Sequence, residues 1–561
     1  MAKDSPLDLA TGSPAGFRGV FRTDAAARAV YAEAAGIAQI IPRAVAVPVD
    51  ADDVVHLVRW AAMHGEPLVP RGSGSSMAGG AIGDGVIVDL SGLRWIQTVD
   101  TQSRTVRCGA GALRDEIDTA ARASGFVFPV DPSSGAFCTV GGMASTNAAG
   151  ARSLKHGATR RWVQSLDCVF ADGTRAEVRR GEPPPNVEVV RRLLAMMDEL
   201  RDAERRAPSR HVGVRKESSG YALADYAGSG ELVDLLVGSE GTLVVIVGLE
   251  LRLAPVPGAT ASVLGAFASL DDAVAGAGEA VNAGASACEL LDRTFLDVAR
   301  GGGADVPVPA DTEAVLLAEV EGVDASECAC AAAILERAFR TAGAVAVIVA
   351  LDDAAEHALW TLRHAASPIL ARLDPRLRSM QFIEDGCVSP QRLAEYVRGV
   401  REALMRHDTR GVIFGHAGDA HVHVNPLVDV SRPDWRARVD ALLADVTALV
   451  ARLGGTAAGE HGDGRLRAPL FPELWPAESI ERFTAVKTAF DSQGIMNPGA
   501  IVATPGARSV DRVKYDPELE PLPAAARAAL ARVEDERAYA TGRLALLTDT
   551  SARLDGPRGA P

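Results

Sequence analysis

Cysteine is scarce and scattered: Cys108, Cys138, Cys168, Cys288, Cys328, Cys330 and Cys387 are the seven in 561 residues, and no C-x-x-C occurs. That usage suits a reduced compartment and argues against an iron–sulfur cluster within the chain. Long apolar runs are missing too. No stretch reaches the ~18 uncharged apolar residues of a membrane helix, and the opening MAKDSPLDLATGSPAG has no apolar core of signal-peptide length. A cytoplasmic protein is expected. Basic charge is short, with 58 Lys and Arg against 73 Asp and Glu and a net charge of −15. The deficit disfavours nucleic acid as a partner and leaves no broad basic surface for anionic lipid. A small metabolite is the expected partner.

The hydrophobic content of 47% is ample for burial, and 561 residues suggest two or three domains. Helical spacing of Val54, Val55, Leu57, Val58, Ala61 and Ala62 predicts a helix to His64. Pro67–Pro70 and Val86–Leu90 read as strands, and a further helix is expected from about Gly111 to Ser124. Strands and helices are thus interleaved, an α+β or α/β core. A compositional break near Leu253–Pro257 opens a second region, with helices at Leu270–Ala283 and Ser326–Ala342 and strands at Ala314–Glu319 and Ala344–Val349. After Tyr515, Leu530, Val533, Ala540, Leu544 and Leu547 form a loose apolar stripe, a terminal helix that docks on the chain or faces a partner.

Between the first two strands runs Arg71-Gly72-Ser73-Gly74-Ser75-Ser76-Met77-Ala78-Gly79-Gly80-Ala81. Such a loop offers backbone N–H groups to a phosphate without side-chain obstruction. A ligand-free surface turn is about as common. No lysine completes a G-x-x-x-x-G-K-[ST] motif, and the G-x-G-x-x-G spacing is absent, so ATP and NAD readings lose ground.

Four of the eleven histidines fall in two short stretches, Gly415-His416-Ala417-Gly418-Asp419-Ala420-His421-Val422-His423-Val424-Asn425 and Gly459-Glu460-His461-Gly462-Asp463-Gly464. Imidazole with carboxylate selects a zinc- or manganese-like ion, and a further histidine beside it can act as a base. Strands at Val412–Phe414 and His421–Asn425 would turn His421, His423 and Asn425 to one face and Val422 and Val424 into the core.

Three further segments join the glycine loop in order: Pro132-Ser133-Ser134 leading to Cys138-Thr139-Val140-Gly141-Gly142-Met143-Ala144-Ser145, then Ser218-Ser219-Gly220-Tyr221, then Gly238-Ser239-Glu240-Gly241-Thr242-Leu243. Together they resemble the flavin-binding half of the FAD-linked oxidase family, the vanillyl-alcohol-oxidase-like superfamily. Both histidine stretches, Leu359–Arg363 and Phe490–Gly499 resemble its catalytic half, nearest the D-2-hydroxyacid dehydrogenases for D-lactate, glycolate and D-2-hydroxyglutarate. The metal-dependent members carry His-x-Gly-Asp-Gly-Asn-x-His; here Ala420 and His421 stand in the Gly-Asn places.

The resemblance implies an α+β fold: a two-part FAD-binding domain over 41–255, a substrate or cap domain with an antiparallel sheet over 256–455, and a segment 456–505 that returns to the flavin. An extension (1–40) and a helical tail (506–561) flank them. It assigns cofactor contact to Arg71, Gly72, Ser73, Gly74, Ser75, Ser76, Pro132, Thr139, Gly142, Ala144, Ser145, Ile246 and Asn497. No histidine stands in the Pro70–Ala81 loop, so dissociable FAD is expected.

By the family pattern His416, His423 and Glu460 hold a divalent metal, zinc or manganese. His461 is the base, and Asn425, Arg363 and Ser367 are substrate contacts, Arg363 clamping a carboxylate. The implied reaction oxidises a D-2-hydroxy acid, D-lactate or D-2-hydroxyglutarate, to the 2-oxo acid, with hydride passing to flavin N5. Gln381–Asp385 offers no clear lysine for a distal carboxylate, and Arg378 is the substitute considered. Electrons then need a separate acceptor: a quinone, an electron-transfer flavoprotein or an iron–sulfur partner. Peripheral association with the inner face of the membrane and a homodimer stay open. Two rivals stand beside this reading, an alkyl-glycerone-phosphate synthase-like flavin transferase and a non-enzymatic flavin-binding electron-transfer subunit. The Glu460-His461 pair argues against the first, and the presence of both histidine stretches argues against the second.

Overall fold

The computed structural model describes residues 13–303, 306–364 and 376–548. Three sheets carry the architecture. The first has the order Val20–Arg22, Ala44–Val47, Val86–Asp89, Leu68–Arg71, antiparallel at its outer pair and parallel across the other three. Val86–Asp89 is buried along its whole length, as a central parallel strand must be. The helix predicted to His64 begins at Ala51, where the Asp50 carboxylate accepts from the amides of Asp52 and Asp53, and ends at Gly65 in the left-handed region. Its Val54, Leu57, Val58 and Ala61 pack on this sheet. The helix expected over Gly111–Ser124 is shorter, Arg114–Arg122, because Leu113 is extended and its N–H is taken by the Glu116 carboxylate.

The second sheet is antiparallel, in the order Thr105–Gly109, Val244–Arg252, Val163–Phe170, Arg175–Arg179. The third, also antiparallel, runs Ala344–Ala350, Ala259–Phe267, Ala314–Gly322, Ala287–Asp292, Arg410–His416, His421–Asp429, Leu377–Ser379, with Gly386–Cys387 added on His421–Asp429. This is the α+β arrangement expected, a two-sheet flavin half and an antiparallel cap. Helices Leu270–Asn282 and Ala325–Thr341 cover one face of the cap sheet.

The chain then comes back: Leu68 donates to Ile495 and accepts from the amide of Asn497, so the segment after the cap is stitched beside the strand that feeds the glycine loop. The tail is two helices, Ala524–Asp535 and Arg543–Thr548, and not one. Arg537 adopts φ +53°, which a continuous helix excludes. Ala526, Ala529, Val533 and Leu546 dock on Ala29, Val30 and the outer face of the first sheet. No helix among the described residues is long and apolar enough to cross a membrane.

Candidate active site

One cavity of about 810 Å³ is shared by the flavin half, the cap and the returning segment. Its size lies high in the range of about 300–1,000 Å³ for small-molecule sites. The flavin-side wall is made largely of backbone and small side chains. Arg71, Gly72, Ser73, Gly74, Ser75, Ser76, Pro132, Thr139, Gly142, Ser145 and Ile246 all line it. A Cβ at Gly72 would stand 2.1 Å from Thr139 Oγ1, so only glycine lets the two loops close on each other. At Gly74 the backbone has φ +75° and a Cβ would strike Arg71 at 2.2 Å. These glycines keep a backbone cradle of the kind a dinucleotide needs, and the wall fits FAD.

Three assigned residues act otherwise than expected or fall outside view. Ala144 is fully buried behind the wall, its carbonyl accepting from Gly238. Asn497 also sits behind it, donating to the carbonyls of Gly80 (2.9 Å) and Glu240 (2.7 Å) and accepting from Arg465, so it ties the loops together. Ser367 lies outside the described residues. Arg71 lines the cavity, but its guanidinium donates to the carbonyls of Glu33 (2.9 Å) and Ala81 (3.2 Å) and so fixes the glycine loop.

The cap side is built from side chains. His416 ends one strand of a hairpin, His423 sits in the other, and Glu460 comes from the returning loop. His416 Nε2 lies 3.4 Å from His423 Nε2 and 3.3 Å from Glu460 Oε1, and the third edge, His423 Nε2 to Glu460 Oε1, is 3.2 Å. A triangle of that size is what three ligands form around an ion bound tetrahedrally at about 2.0–2.1 Å. The donors therefore fit a divalent cation. Val422 and Val424 are buried in the core, as the alternation required.

The rings are oriented from behind. Glu289 stands directly across the sheet from His416 and accepts from its Nδ1 at 2.6 Å, leaving Nε2 as the lone-pair nitrogen. Burial opposes ionisation of Glu289, but His416 and Arg363 outweigh it and hold the carboxyl at about 2. His423 donates from Nδ1 to the Glu384 carbonyl at 3.1 Å. Lys216, fully enclosed, pairs with the other Glu460 oxygen at 2.5 Å. Burial raises Glu460, yet Lys216 and His416 hold it well below the usual carboxylate range.

His461 lies beside this triangle, its Nε2 3.6 Å from Glu460 Oε1, and donates from Nδ1 to the Glu384 carboxylate at 2.8 Å. Burial lowers its basicity, but Glu384 and Asp385 prevail and lift it to about 10. Asp385 accepts from the His461 amide at 2.9 Å and from His421 Nε2 at 2.8 Å. His421, held near 3 by burial and Lys216, thus serves as a neutral buttress. Arg363 is gripped by Glu289 at 2.6 Å, lies over the Phe414 ring at 4.7 Å, and with Asn425 lines the cavity.

Sequence reading missed Glu289, Glu384, Asp385 and Lys216. Glu289 had a signal, an acid inside the apolar strand Ala287–Asp292, since buried carboxylates are rare unless paired. Glu384 and Asp385 stand together ahead of Gly386, with no partner near them in sequence. Lys216, between Arg215 and Glu217, reads as surface charge.

Residues 42–179 match the family model described as FAD binding domain, and residues 256–501 match FAD linked oxidases, C-terminal domain. Among characterised relatives, the glycolate oxidase subunit GlcD of Bacillus subtilis is 29% identical over 86% of this chain and 94% of its own length. The D-lactate dehydrogenase of Archaeoglobus fulgidus is 30% identical over 82% of this chain and 93% of its own. The D-2-hydroxyglutarate dehydrogenase of Pseudomonas putida is 30% identical over 88% of this chain, which spans only 51% of that relative. Among solved structures, 4-ethylphenol oxidase from Gulosibacter chungangensis aligns over 87% of this chain and 94% of its own, with a TM-score of 0.63 and 15% identity. An alkyldihydroxyacetonephosphate synthase aligns over 85% of this chain and 83% of its own, with a TM-score of 0.59 and 14% identity. At that identity both speak for the fold alone.

Proposed function

We propose that the chain, which belongs to the FAD-linked oxidase family, oxidises a small D-2-hydroxy acid to its 2-oxo acid with a divalent cation at His416, His423 and Glu460. The observation that carries this reading is the meeting, in one cavity, of a glycine-built dinucleotide wall and a three-donor triangle with a histidine beside it. A flavin carrier has no use for that triangle, and a transferase without net substrate oxidation gives no account of it.

FAD supplies the two-electron sink for the C2 hydrogen that no side chain offers, and a divalent ion supplies charge that acidifies the C2 hydroxyl. The protein does the rest. Arg363, held flat by Glu289 and Phe414, offers its free edge to the substrate carboxylate. Asn425 supplies a neutral polar contact on the same wall. Glu384 fixes the tautomer of His461 so that Nε2 faces the hydroxyl; the Glu384–Asp385 pair by itself keeps this ring protonated, and the charge of a divalent ion at the adjoining triangle would free Nε2 to accept the hydroxyl proton, the same carboxylates then stabilising the imidazolium that forms. Glu384 is itself held by Arg467, so the carboxylate stays charged when His461 is neutral.

Arg378 stacks over Tyr515 at 5.7 Å and does not line the cavity. That favours a short monocarboxylate such as D-lactate over D-2-hydroxyglutarate. The electrons leave to a separate acceptor, a quinone, an electron-transfer flavoprotein or an iron–sulfur partner.

The test is anaerobic bleaching of the bound flavin by glycolate and by the D- and L-isomers of lactate and 2-hydroxyglutarate, with and without chelator. Rapid, chelator-sensitive bleaching by a D-acid is expected. A flavin that stays oxidised with every acid, metal being present, would overturn the dehydrogenase reading and favour the transferase.

A further inference from the structure

The tail lies wholly outside both matched regions, yet it helps to wall the cavity. Arg537 and Tyr539 line it from the turn between the two terminal helices, opposite the segment that carries Phe137. The Tyr539 ring stacks on Phe137 at 5.1 Å and 27°, and the Arg537 guanidinium lies over Phe137 at 5.2 Å. Arg543, only 3% exposed, donates to the Ser73 carbonyl at 3.2 Å and packs over Tyr539 at 5.2 Å.

Arg543 and Arg71 are both buried on the glycine loop, the Nε of each has no hydrogen-bond partner, and the charge of the buried Asp89 carboxylate, which accepts from Tyr31, acts on both. Burial, with Arg71 adding to it, pushes Arg543 down to about 10. Two guanidiniums gathered on a cradle of backbone N–H groups favour a bound anion there. The backbone at Arg537 is in the left-handed region, a conformation that persists where its surroundings impose it.

Position says which anion. The returning loop meets the far end of the glycine loop, Arg465 donating to the Gly79 carbonyl at 3.1 Å and Leu466 to Ala78 at 3.1 Å, and that loop carries His461. The tail holds the near end at Ser73. A dinucleotide whose reactive ring faces His461 therefore has its other half at the tail.

We propose that residues 524–548 form a strap that binds the adenylyl half of FAD: Tyr539 and Arg537 face the nucleotide, and Arg543 pins the strap to the glycine loop. With its ring stacked on Phe137 and packed by Arg543, Tyr539 offers its edge and hydroxyl to the nucleotide, and the Arg537 guanidinium offers charge to its phosphates. This inference rests on the FAD reading above, and the experiment separates the two. Full-length apoprotein, wild type and the variants Tyr539→Ala and Arg537→Glu, is titrated with FAD and with FMN, which lacks the adenylyl half, following flavin fluorescence. Arg537 is exposed, so its replacement leaves the fold intact, and apoprotein Tm within about 2 °C of wild type checks this. The expected result is an FAD Kd raised about tenfold in each variant with FMN affinity unchanged, or with FMN too weak to bind to any of the three proteins. FAD affinity equal to wild type in both variants overturns the strap, as does a parallel loss for FMN. A wild type that takes up no FAD overturns the cofactor reading itself.

Discussion

The two walls of the cavity are made of different material. On the flavin side the chain presents backbone, with glycines at 72 and 74 standing where any side chain would collide. On the cap side it presents charged side chains, each fixed by a partner far away in sequence: Glu289 for His416 is 127 residues distant, and Glu384 for His461 is 77. A wall of backbone is sensitive to added atoms and indifferent to charge. A wall of paired side chains is the reverse, and losing one partner leaves the other buried and uncompensated.

The sharpest way to separate the walls is His461→Ala. Removing the proposed proton acceptor should lower kcat by about 10²–10⁴-fold, while flavin content measured by absorbance stays at the wild-type level. Loss of flavin along with activity would erase the distinction. Next is Glu289→Gln, which acts through His416 and Arg363. By freeing His416 Nδ1 and Arg363 it should weaken metal binding by about 10–100-fold in a competition titration against a chromophoric chelator. Unchanged metal affinity would mean that the triangle orients itself. On the other wall, Gly72→Ala should cost FAD binding about 1–3 kcal/mol and leave metal content untouched, and Thr139→Ala in the same chain should restore part of it by removing the colliding hydroxyl.

The smallest effect concerns the joint between the two halves. Glu321 on the cap sheet receives Lys155 at 2.8 Å and His156 at 2.9 Å from the flavin half. Burial opposes its ionisation, but those partners hold its carboxyl at about 2, below the reference 4.5. A depressed carboxylate contributes above its unfolded value and loses that contribution as pH falls through the folded one. The cap should therefore loosen between about pH 4.5 and 2. With solvent screening the effect is about 1–2 kcal/mol. Glu321→Gln should flatten this part of the acid unfolding curve followed by tryptophan fluorescence.

The difference in material also explains what was legible. Small residues at fixed spacing are a local pattern, so the glycine loop and the Thr139–Ser145 segment stood out and line the cavity together. The face shared by His423 and Asn425 was legible for the same reason, since the two-residue period alone sets which side chains share a face, whereas His416 joined them through the family resemblance. Its buttresses were not. Glu384 and Asp385 read as two acids ahead of a glycine, and only the fold brings their carboxylates beneath His461 and His421. The single terminal helix was misread because nothing in Glu536-Arg537-Ala538 announces a left-handed residue, whereas a glycine there would have.

By itself the sequence determined the periodicities, the turns and the order of motifs, because these depend on each residue's own backbone preference and its nearest neighbours. It determined the α+β class, the family, and the segments from which the cavity is built. The tertiary structure alone decided which nitrogen of each histidine is free, which acids hold the rings, that Asn497 ties loops from behind the wall, and that the tail reaches the cavity. Those outcomes turn on contacts of a few ångströms between residues scores or hundreds of positions apart, and a hydrogen bond depends on distance and direction in space, for which position along the chain is no guide.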